Sequence, residues 1–188
     1  MRIVVLMGGM SPEREISLRT GAGVARALVS LGHEVALLDT GTGNLLQGGD
    51  LRAELSAPGG SAALAPTTLP ATTAGATLER FVRSMPQSVD LVFVALHGGD
   101  GENGTLQAVL DLAQIPYTGS GVLASALAMD KAISKRIFVQ EGIPTPEWVE
   151  RWAPEDPARP WHPELSDEDL ARLGGFPIVV KPNDQGST

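Results

Sequence analysis

The sequence predicts an α/β fold in which an open, mainly parallel sheet carries helices on both faces. Two largely apolar runs carry this prediction: Arg2–Met7, which is followed by Gly8-Gly9, and Val89–Leu96, which ends in His97-Gly98-Gly99. Such runs are typical of strands that are buried on both sides of a sheet. The first run is followed by a helical pattern and by a second predicted strand, Glu34–Asp39, which together form one crossover unit.

The first helix should begin directly after Gly8 and Gly9, with Ser11 as its N-cap and Pro12 at its first position. Gly32 should end it. Its buried face is predicted from apolar residues at helical spacing: Ile16, Leu18, Val24, Ala27, Leu28 and Leu31.

Residues 40–79 show no sustained apolar period, and 25 of these 40 residues are Gly, Ala, Thr or Pro. We therefore predict a loose insertion or a mobile loop. The elements predicted after it are a helix over Leu78–Met85, a helix over Thr105–Gln114, a strand over Ile115–Thr118, a helix over Val122–Met129, a helix over Lys131–Glu141 capped by Asp130, a helix from a capping box at Ser166 to Leu173, and a strand over Phe176–Val180.

The composition changes after Glu150, and residues 153–164 contain four prolines, as a linker or surface loop would. A domain boundary is predicted near Thr145–Pro154, so that residues 1–144 form one domain and residues 145–188 belong to another.

Charge and composition exclude several classes of function. Acidic residues outnumber basic ones by 22 to 14, which argues against broad contact with nucleic acid or an anionic membrane and favours small molecules or proteins as partners. The absence of cysteine excludes disulfides, thiolate metal sites and a cysteine nucleophile. The apolar run Ile3–Met7 is too short for a signal-peptide core or a membrane span, and we expect a cytoplasmic protein.

The two glycine pairs, Gly8-Gly9 and Gly98-Gly99, follow predicted strands and should therefore lie at the ligand-binding edge of the sheet. They would equally suit tight turns. The first loop is not a dinucleotide fingerprint, because Met10 and Glu13 stand where GxGxxG requires glycine, although Asp39 ends the second strand where a ribose-binding acid would lie.

Three polar side chains of these loops are candidate substrate contacts. Glu13 lies on the first turn of the predicted helix, where the dipole favours a carboxylate that could bind a substrate ammonium. It could also simply complement the dipole. His97 and Glu102 belong to a stretch with four glycines in nine residues, which predicts a flexible cleft loop or a purely structural one. A metal site there has little support, because the other two histidines, His33 and His162, lie in unrelated contexts.

Lysine is rare in this chain, with three lysines against eleven arginines. Lys131 opens a predicted helix, and Lys181 ends a predicted strand before the glycine-serine loop at Gly186, so both could bind phosphate as point charges. No Walker A pattern occurs, and a nucleotide site would have to be of another type.

Five motifs in order resemble those of the D-alanine–D-alanine ligase family, which are ATP-grasp enzymes of bacterial cell-wall synthesis. They are GGMSPEREISL (8–18), ALHGGDGENGTLQ (95–107), IPYTGSGV (115–122), ASALAMDK (124–131), and VVKP (179–182) with Gly186 and Ser187. The resemblance implies a Rossmann-like pre-ATP-grasp domain over residues 1–144 and the start of an α+β ATP-grasp subdomain over residues 145–188. It also implies that ATP phosphorylates one D-alanine and that the amine of a second attacks the acyl phosphate.

The resemblance also implies roles for individual residues. Glu13 would bind the ammonium of the first D-alanine, His97 and Glu102 would lie near that substrate, and Lys131 and Lys181 would bind the ATP phosphates. Ser187, in the loop that covers the reacting groups, would link to Glu13 as a second catalytic residue, with Gly186 and Thr188 beside it.

Some positions depart from the family pattern, since Asn103 replaces an aspartate and Thr188 a serine. The family's Mg²⁺ ligands, adenine pocket and catalytic arginine would lie beyond residue 188, so that this chain alone is expected to be inactive.

Family members commonly form homodimers through the N-terminal domain. A stand-alone binding or dimerising module, and an ATP-grasp ligase for another carboxylate and amine, are the alternatives. The second substrate could be D-alanine, D-lactate or D-serine.

Overall fold

The computed structural model describes residues 1–56, 85–86, 88–152 and 164–186. Its internal contacts divide the chain into two units, Met1–Met129 with Gln185 and Gly186, and Asp130–Asp184. The division predicted at residue 144 stays a prediction. Most of the predicted linker, nearly all of the predicted helix Leu78–Met85, and the site residues Ser187 and Thr188 lie outside the described residues.

The first unit contains a four-stranded sheet in the order β3-β2-β1-β4. Its strands are β1 (Arg2–Met7), β2 (Glu34–Asp39), β3 (Leu45–Gln47) and β4 (Leu91–Val94). Strand β1 lies between β2 and β4 and is parallel to both, and β3 pairs antiparallel with β2. The predicted α/β fold with a mainly parallel sheet is confirmed.

Helices pack on both faces of this sheet, as the sequence predicted. The helices of this unit are α1 (Arg14–Ser30), α2 (Gly48–Ser56), α3 (Thr105–Leu112) and α4 (Val122–Met129), with a 3₁₀ turn at Gly99–Gly101. Helix α4 contacts α3. Val4 and Leu6 of β1 belong to the core cluster that includes Leu106 and Leu110 of α3. Val5 and Met7 point to the opposite face, into the cluster that contains Leu18 and Leu51. The alternation along β1 thus builds two cores.

Helix α1 begins at Arg14, with Glu13 rather than Ser11 at its N-cap, so the predicted start was wrong by two residues. The hydroxyl of Ser11 donates to the carbonyl of His97 instead of capping the helix, and Pro12 lies in a turn before it. The end of the helix agrees with the prediction, since Leu31 is its C-cap and Gly32 follows with a φ of 82°.

The buried face of α1 also differs from the prediction. Ile16 and Leu31 are 51% and 71% exposed, whereas the buried positions are mostly small. The buried residues are Arg14, Ser17, Leu18, Gly21, Ala22 and Ala25. The helix packs so closely on the sheet that a Cβ atom on Gly21 would lie 2.6 Å from the Cβ of Met7. This close packing requires mostly small residues on the buried face of α1, whereas the apolar pattern predicted a face of large ones.

The prediction of a loose segment over residues 40–79 was wrong for residues 45–56, which form β3 and α2. Leu51 of α2 is only 1% exposed. Both elements are stabilised by tertiary contacts, with β3 paired along the edge of β2 and Leu51 packed into the core. The sequence lacks a local period here because the elements are too short to show one.

Two predicted strands and one helix are shorter than expected. The strand predicted over Val89–Leu96 covers only Leu91–Val94, and the predicted strand at Ile115–Thr118 is reduced to a single parallel bridge between Val92 and Tyr117. Helix α3 ends at Leu112, two residues before the predicted end.

The second unit contains α5 (Lys131–Gln140) and α6 (Asp167–Leu173). Asp130 caps α5 by accepting a hydrogen bond from the Ile133 amide, and Ser166 and Asp169 form the predicted capping box of α6. The strand predicted over Phe176–Val180 is wrong, because this segment is irregular and Val179 and Val180 are 80% and 65% exposed. An apolar run becomes a strand only where a neighbouring strand accepts its hydrogen bonds, and none of the described residues of this unit provides one.

None of the described helices has both the length and the apolar character needed to cross a membrane.

Candidate functional site

The loops that follow β1 and β4 leave the sheet at the same edge, because these strands are parallel neighbours. The first loop carries Gly8, Gly9 and Glu13, and the second carries His97 and Gly98. This carboxyl-terminal edge is where open parallel sheets bind their ligands.

Glu13 and Glu102 approach each other around two glycines. Glu13 is half-buried, and a Cβ atom on Gly98, whose φ is 68°, would lie 2.8 Å from its Oε2 atom. A Cβ atom on Gly186 would lie 2.8 Å from the same Oε2 atom and 3.2 Å from Oε2 of Glu102. The structure therefore brings together Glu13, Glu102 and Gly186, three of the residues selected from the sequence.

This pair of carboxylates is not neutralised locally. Among the described residues, no ion pair involves Glu13 or Glu102. Two uncompensated carboxylates at one place suit a cationic ligand that brings hydrogen-bond donors, such as an ammonium group.

His97 contacts helix α1 through its ring and the turn before α1 through its main chain. Its Nε2 atom lies 3.1 Å from Oγ1 of Thr20, and its carbonyl accepts a 2.5 Å hydrogen bond from Ser11. Thr20 follows Glu13 by about two helical turns on α1. The imidazole therefore contacts α1 well beyond its N-terminus, while the His97 main chain lies close to the segment that carries Glu13.

A buried ion pair that the sequence did not reveal supports the first loop. Arg14 donates to both carboxylate oxygens of Asp39, over 2.8 and 2.5 Å, and also to the carbonyl of Gly9. The Gly41 amide and the Thr42 hydroxyl also donate hydrogen bonds to the Asp39 carboxylate. Burial alone would raise the pKa of Asp39, but the hydrogen bonds from Arg14, Thr42 and Gly41 outweigh it and hold the pKa below its usual range.

This ion pair also explains why Gly8 is required. Its φ is 76°, and a Cβ atom there would lie 2.2 Å from Oδ1 of Asp39 and 2.5 Å from the guanidinium of Arg14. Asp39, at the position of a ribose-binding acid, instead binds Arg14 inside the protein. The single sequence signal that could have revealed the pair is the position of Arg14 on the same helical face as Leu18, Gly21 and Ala25.

The candidate phosphate-binding lysines both belong to the second unit. Asn183, two residues after Lys181, accepts a hydrogen bond from the Lys131 amide at 3.0 Å through its main-chain carbonyl. Its side-chain oxygen accepts a second from the Ala132 amide at 2.9 Å. The loop that follows Lys181 is thus fastened to the start of the helix that bears Lys131.

Asp130, at the start of the same helix, is held in its charged form. Hydrogen bonds from the Ile133 amide and from the Asn183 side chain keep the pKa of Asp130 below its usual value. Lys131 is half-buried and its Nζ atom lies 3.4 Å from the Asn183 carbonyl, whereas Lys181 is exposed. A lysine ammonium is a point charge on a flexible side chain, unlike the rigid guanidinium of arginine. Two such groups suit the oxygens of a polyphosphate.

The described residues contain no group of three or more His, Cys, Asp or Glu side chains that could hold a metal ion.

A mainly parallel sheet with an acidic cluster at the carboxyl ends of its central strands is the arrangement of a small-molecule-binding α/β domain. A family model described as the D-ala D-ala ligase N-terminus matches residues 2–120. The chain therefore belongs to the D-alanine–D-alanine ligase family, as its motifs suggested.

Relatives and solved structures agree with this assignment. The chain is 43% identical to a D-alanine–D-alanine ligase of Gloeobacter violaceus, over all of this chain and 48% of that protein. It is 38% identical to one of Coprothermobacter proteolyticus, again over all of this chain and 48% of the relative. A crystal structure of the Bacillus anthracis D-alanine–D-alanine ligase complexed with ATP matches with a TM-score of 0.63 and 33% identity, covering 98% of this chain and 48% of that one. The chain thus spans about half the length of the relatives that it matches.

Proposed function

We propose that the complete protein is a cytoplasmic, ATP-dependent ligase that joins two D-alanine molecules for peptidoglycan precursor synthesis. This chain would supply the binding site for the first D-alanine and part of the ATP site. The proposal rests on family membership and on relatives that are named D-alanine–D-alanine ligases. The chain alone is proposed to be inactive, because the remaining half of the relatives has no counterpart in it.

The observation that carries the proposal is the pairing of Glu13 with Glu102 around Gly98 and Gly186. An amino acid carries one ammonium and one carboxylate at neutral pH. Glu13 would bind the ammonium of the first D-alanine, with Glu102 contributing a second negative charge and His97 lying beside the substrate. Fixing the ammonium in this way would hold the substrate in one orientation with its carboxylate free to react, so that positioning supplies much of the catalysis.

The lysine pair fits the second substrate of such a reaction. ATP, when bound, supplies the phosphoryl group that activates the D-alanine carboxylate as an acyl phosphate. Lys131 and Lys181 would hold the phosphates, and the loop Gly186–Thr188 would cover them, with Ser187 linked to Glu13. The ligands of Mg²⁺ are proposed to lie beyond residue 188.

Replacement of Glu13 by Gln in the complete protein tests the proposal. The amide keeps the shape of the side chain but cannot attract an ammonium by charge, so kcat/KM for D-alanine should fall roughly 30- to 1000-fold, equivalent to about 2 to 4 kcal/mol. Phosphate release from ATP in the presence of D-alanine is the assay.

The matched control is Glu15→Gln. Glu15 lies on the same helix two residues further on, and it is exposed and paired with Arg19. It should leave the rate unchanged. Equal rates for wild type and Glu13→Gln would refute the role of Glu13 and, with it, the proposed function.

We also propose that the protein forms a homodimer through its N-terminal domain. Light scattering of the native protein measures the mass of the assembly, and mass spectrometry under denaturing conditions gives the protomer mass, which addresses the alternative of a stand-alone binding or dimerising module. A protomer mass near the 19.6 kDa of this chain would favour the module, and a mass about twice as large would favour the ligase.

A further inference from the structure

Two serines make the same kind of bridge between the segment after β1 and the chain that leaves β4. The Ser11 hydroxyl accepts a hydrogen bond from the Glu13 amide at 3.2 Å and donates to the His97 carbonyl at 2.5 Å. The Ser17 hydroxyl accepts from the Gly8 amide at 2.8 Å and donates to the Ala95 carbonyl at 2.7 Å. A hydroxyl can do both at once, because it carries one proton and two lone pairs.

The two bridges lie in different surroundings. Ser17 is fully buried, at 0% exposure, and belongs to the packed face of α1. Ser11 is half-buried beside the acidic cluster. A Cβ atom on Gly98 would lie 3.3 Å from the Ser11 Cβ, 3.4 Å from its Oγ and 2.8 Å from Oε2 of Glu13. Ser11, Glu13 and Gly98 therefore surround one small volume.

We propose that Ser11 is a positioning residue of the ammonium site. Through its hydroxyl it fixes the main chain of Glu13 against the main chain of His97, so that the two side chains assigned to the first D-alanine keep their spacing. This inference rests on the proposed function, because it assumes that Glu13 and His97 bind that substrate. Ser17 makes the equivalent bridge in the core and acts on stability.

The geometry explains why a single hydroxyl can matter for binding. Glu13 is the N-cap of α1, and its backbone is followed by a rigid helix but preceded by a turn. The Ser11 hydroxyl accepts a hydrogen bond from this amide and donates one to the His97 carbonyl, and so fixes the turn to the β4 side of the site. A binding carboxylate that moves by about 1 Å loses much of its contact with an ammonium, since productive sites are held to within roughly 0.5 Å.

The experiment compares Ser11→Ala, Ser11→Thr and Ser17→Ala in the complete protein. For Ser11→Ala we expect the KM of the first D-alanine to rise roughly 5- to 20-fold, with the KM of ATP unchanged and only a small fall in Tm. Ser11→Thr should restore the KM, because threonine keeps the hydroxyl. Ser17→Ala should show the opposite balance, a larger fall in Tm and a smaller change in KM, since it leaves a buried amide and carbonyl unpaired.

Ser30→Ala is the control for removing a serine hydroxyl from α1. Ser30 is exposed and bonds only locally to the Ala27 carbonyl, so neither KM nor Tm should change. The proposal is overturned if Ser11→Ala leaves the D-alanine KM unchanged, raises the KM of both substrates equally, or fails to fold, since the last result would give Ser11 the same structural role as Ser17.

Glu13→Gln, assayed in parallel, separates failure of this inference from failure of the proposed function. A normal rate for Glu13→Gln would reject the function itself. An impaired Glu13→Gln together with a normal Ser11→Ala would reject only the positioning role of Ser11.

Discussion

Replacement of Asp39 by Asn should destabilise the first unit strongly, because it removes the charge that compensates a buried guanidinium. The side chains of Arg14 and Asp39 are each only 8% exposed, and the carboxylate accepts four hydrogen bonds, two of them from Arg14. An asparagine keeps the size of the side chain but offers one acceptor oxygen in place of two. Breaking a buried pair by neutralising one partner costs about 3 to 5 kcal/mol, and we expect a loss in this range.

Urea unfolding followed by circular dichroism gives the free energy of unfolding, and hydrogen exchange of peptides from β1 and β2 shows whether the loss is confined to the first unit. Asp90→Asn is the matched control, because Asp90 pairs with Arg2 at the same sheet, with side chains that are 35% and 48% exposed. Solvent screens an exposed pair, so the control should change stability far less. Equal losses in the two variants would refute the assignment of Arg14–Asp39 as a stabilising buried pair.

The same pair predicts how stability depends on pH. The folded-state pKa of Asp39 lies below its unfolded value of about 4. Its contribution is therefore fully present above that pH and is lost as the pH falls through the folded-state pKa. The stability difference between wild type and Asp39→Asn should shrink in acid. A difference that stays constant down to pH 2 would contradict the linkage.

Three further changes test other parts of the structure. Gly98→Ala should cost roughly 1 to 3 kcal/mol in unfolding experiments, because alanine is strained at a φ of 68° and its Cβ would meet Oε2 of Glu13; Gly32→Ala, at a similar φ but in open space, is the control for strain alone. Leu51→Ala should cost about 2 to 5 kcal/mol, since Leu51 is 1% exposed, and a loss below about 1 kcal/mol would contradict the packing of α2. Ser166→Ala should lower helix stability by about 1 kcal/mol through loss of the capping box, with protection of α6 against hydrogen exchange as the measure.

Several apolar elements and the caps of α5 and α6 were predictable from the sequence. The bounds of β1, β2 and α4 agree with the prediction residue for residue, because each is a short apolar element with glycine or a charged residue at its ends. The capping box of α6 is a local signal and was found for the same reason. Where stabilisation comes from distant contacts, as for β3 and α2, no local apolar period is present that could predict the element.

For the candidate site, the sequence identified side chains of suitable chemistry but not which of them lie close together in the fold. Glu13 could be selected because a carboxylate near a helix start is favoured by the helix dipole, and a helix start can be recognised from the local sequence. The approach of Gly186 to Glu13 and Glu102 could not, because these residues lie far apart in the chain and meet only through the tertiary fold. The bridges of Ser11 and Ser17 were missed for a related reason, since a serine near a helix start is ordinarily expected to cap that helix.

The buried pair also bears on the charge of the site itself. Arg14 follows Glu13 directly in the sequence and would be the nearest cation able to neutralise it. Asp39 and the Gly9 carbonyl instead hold the guanidinium inside the protein, where it donates to three acceptor oxygens. Glu13 is thereby left without an ion-pair partner among the described residues. Asp39 thus does more than stabilise the loop, because it also keeps Arg14 from pairing with Glu13. If Glu13 binds an ammonium group as proposed, a variant that frees Arg14 should weaken that binding even where the fold survives.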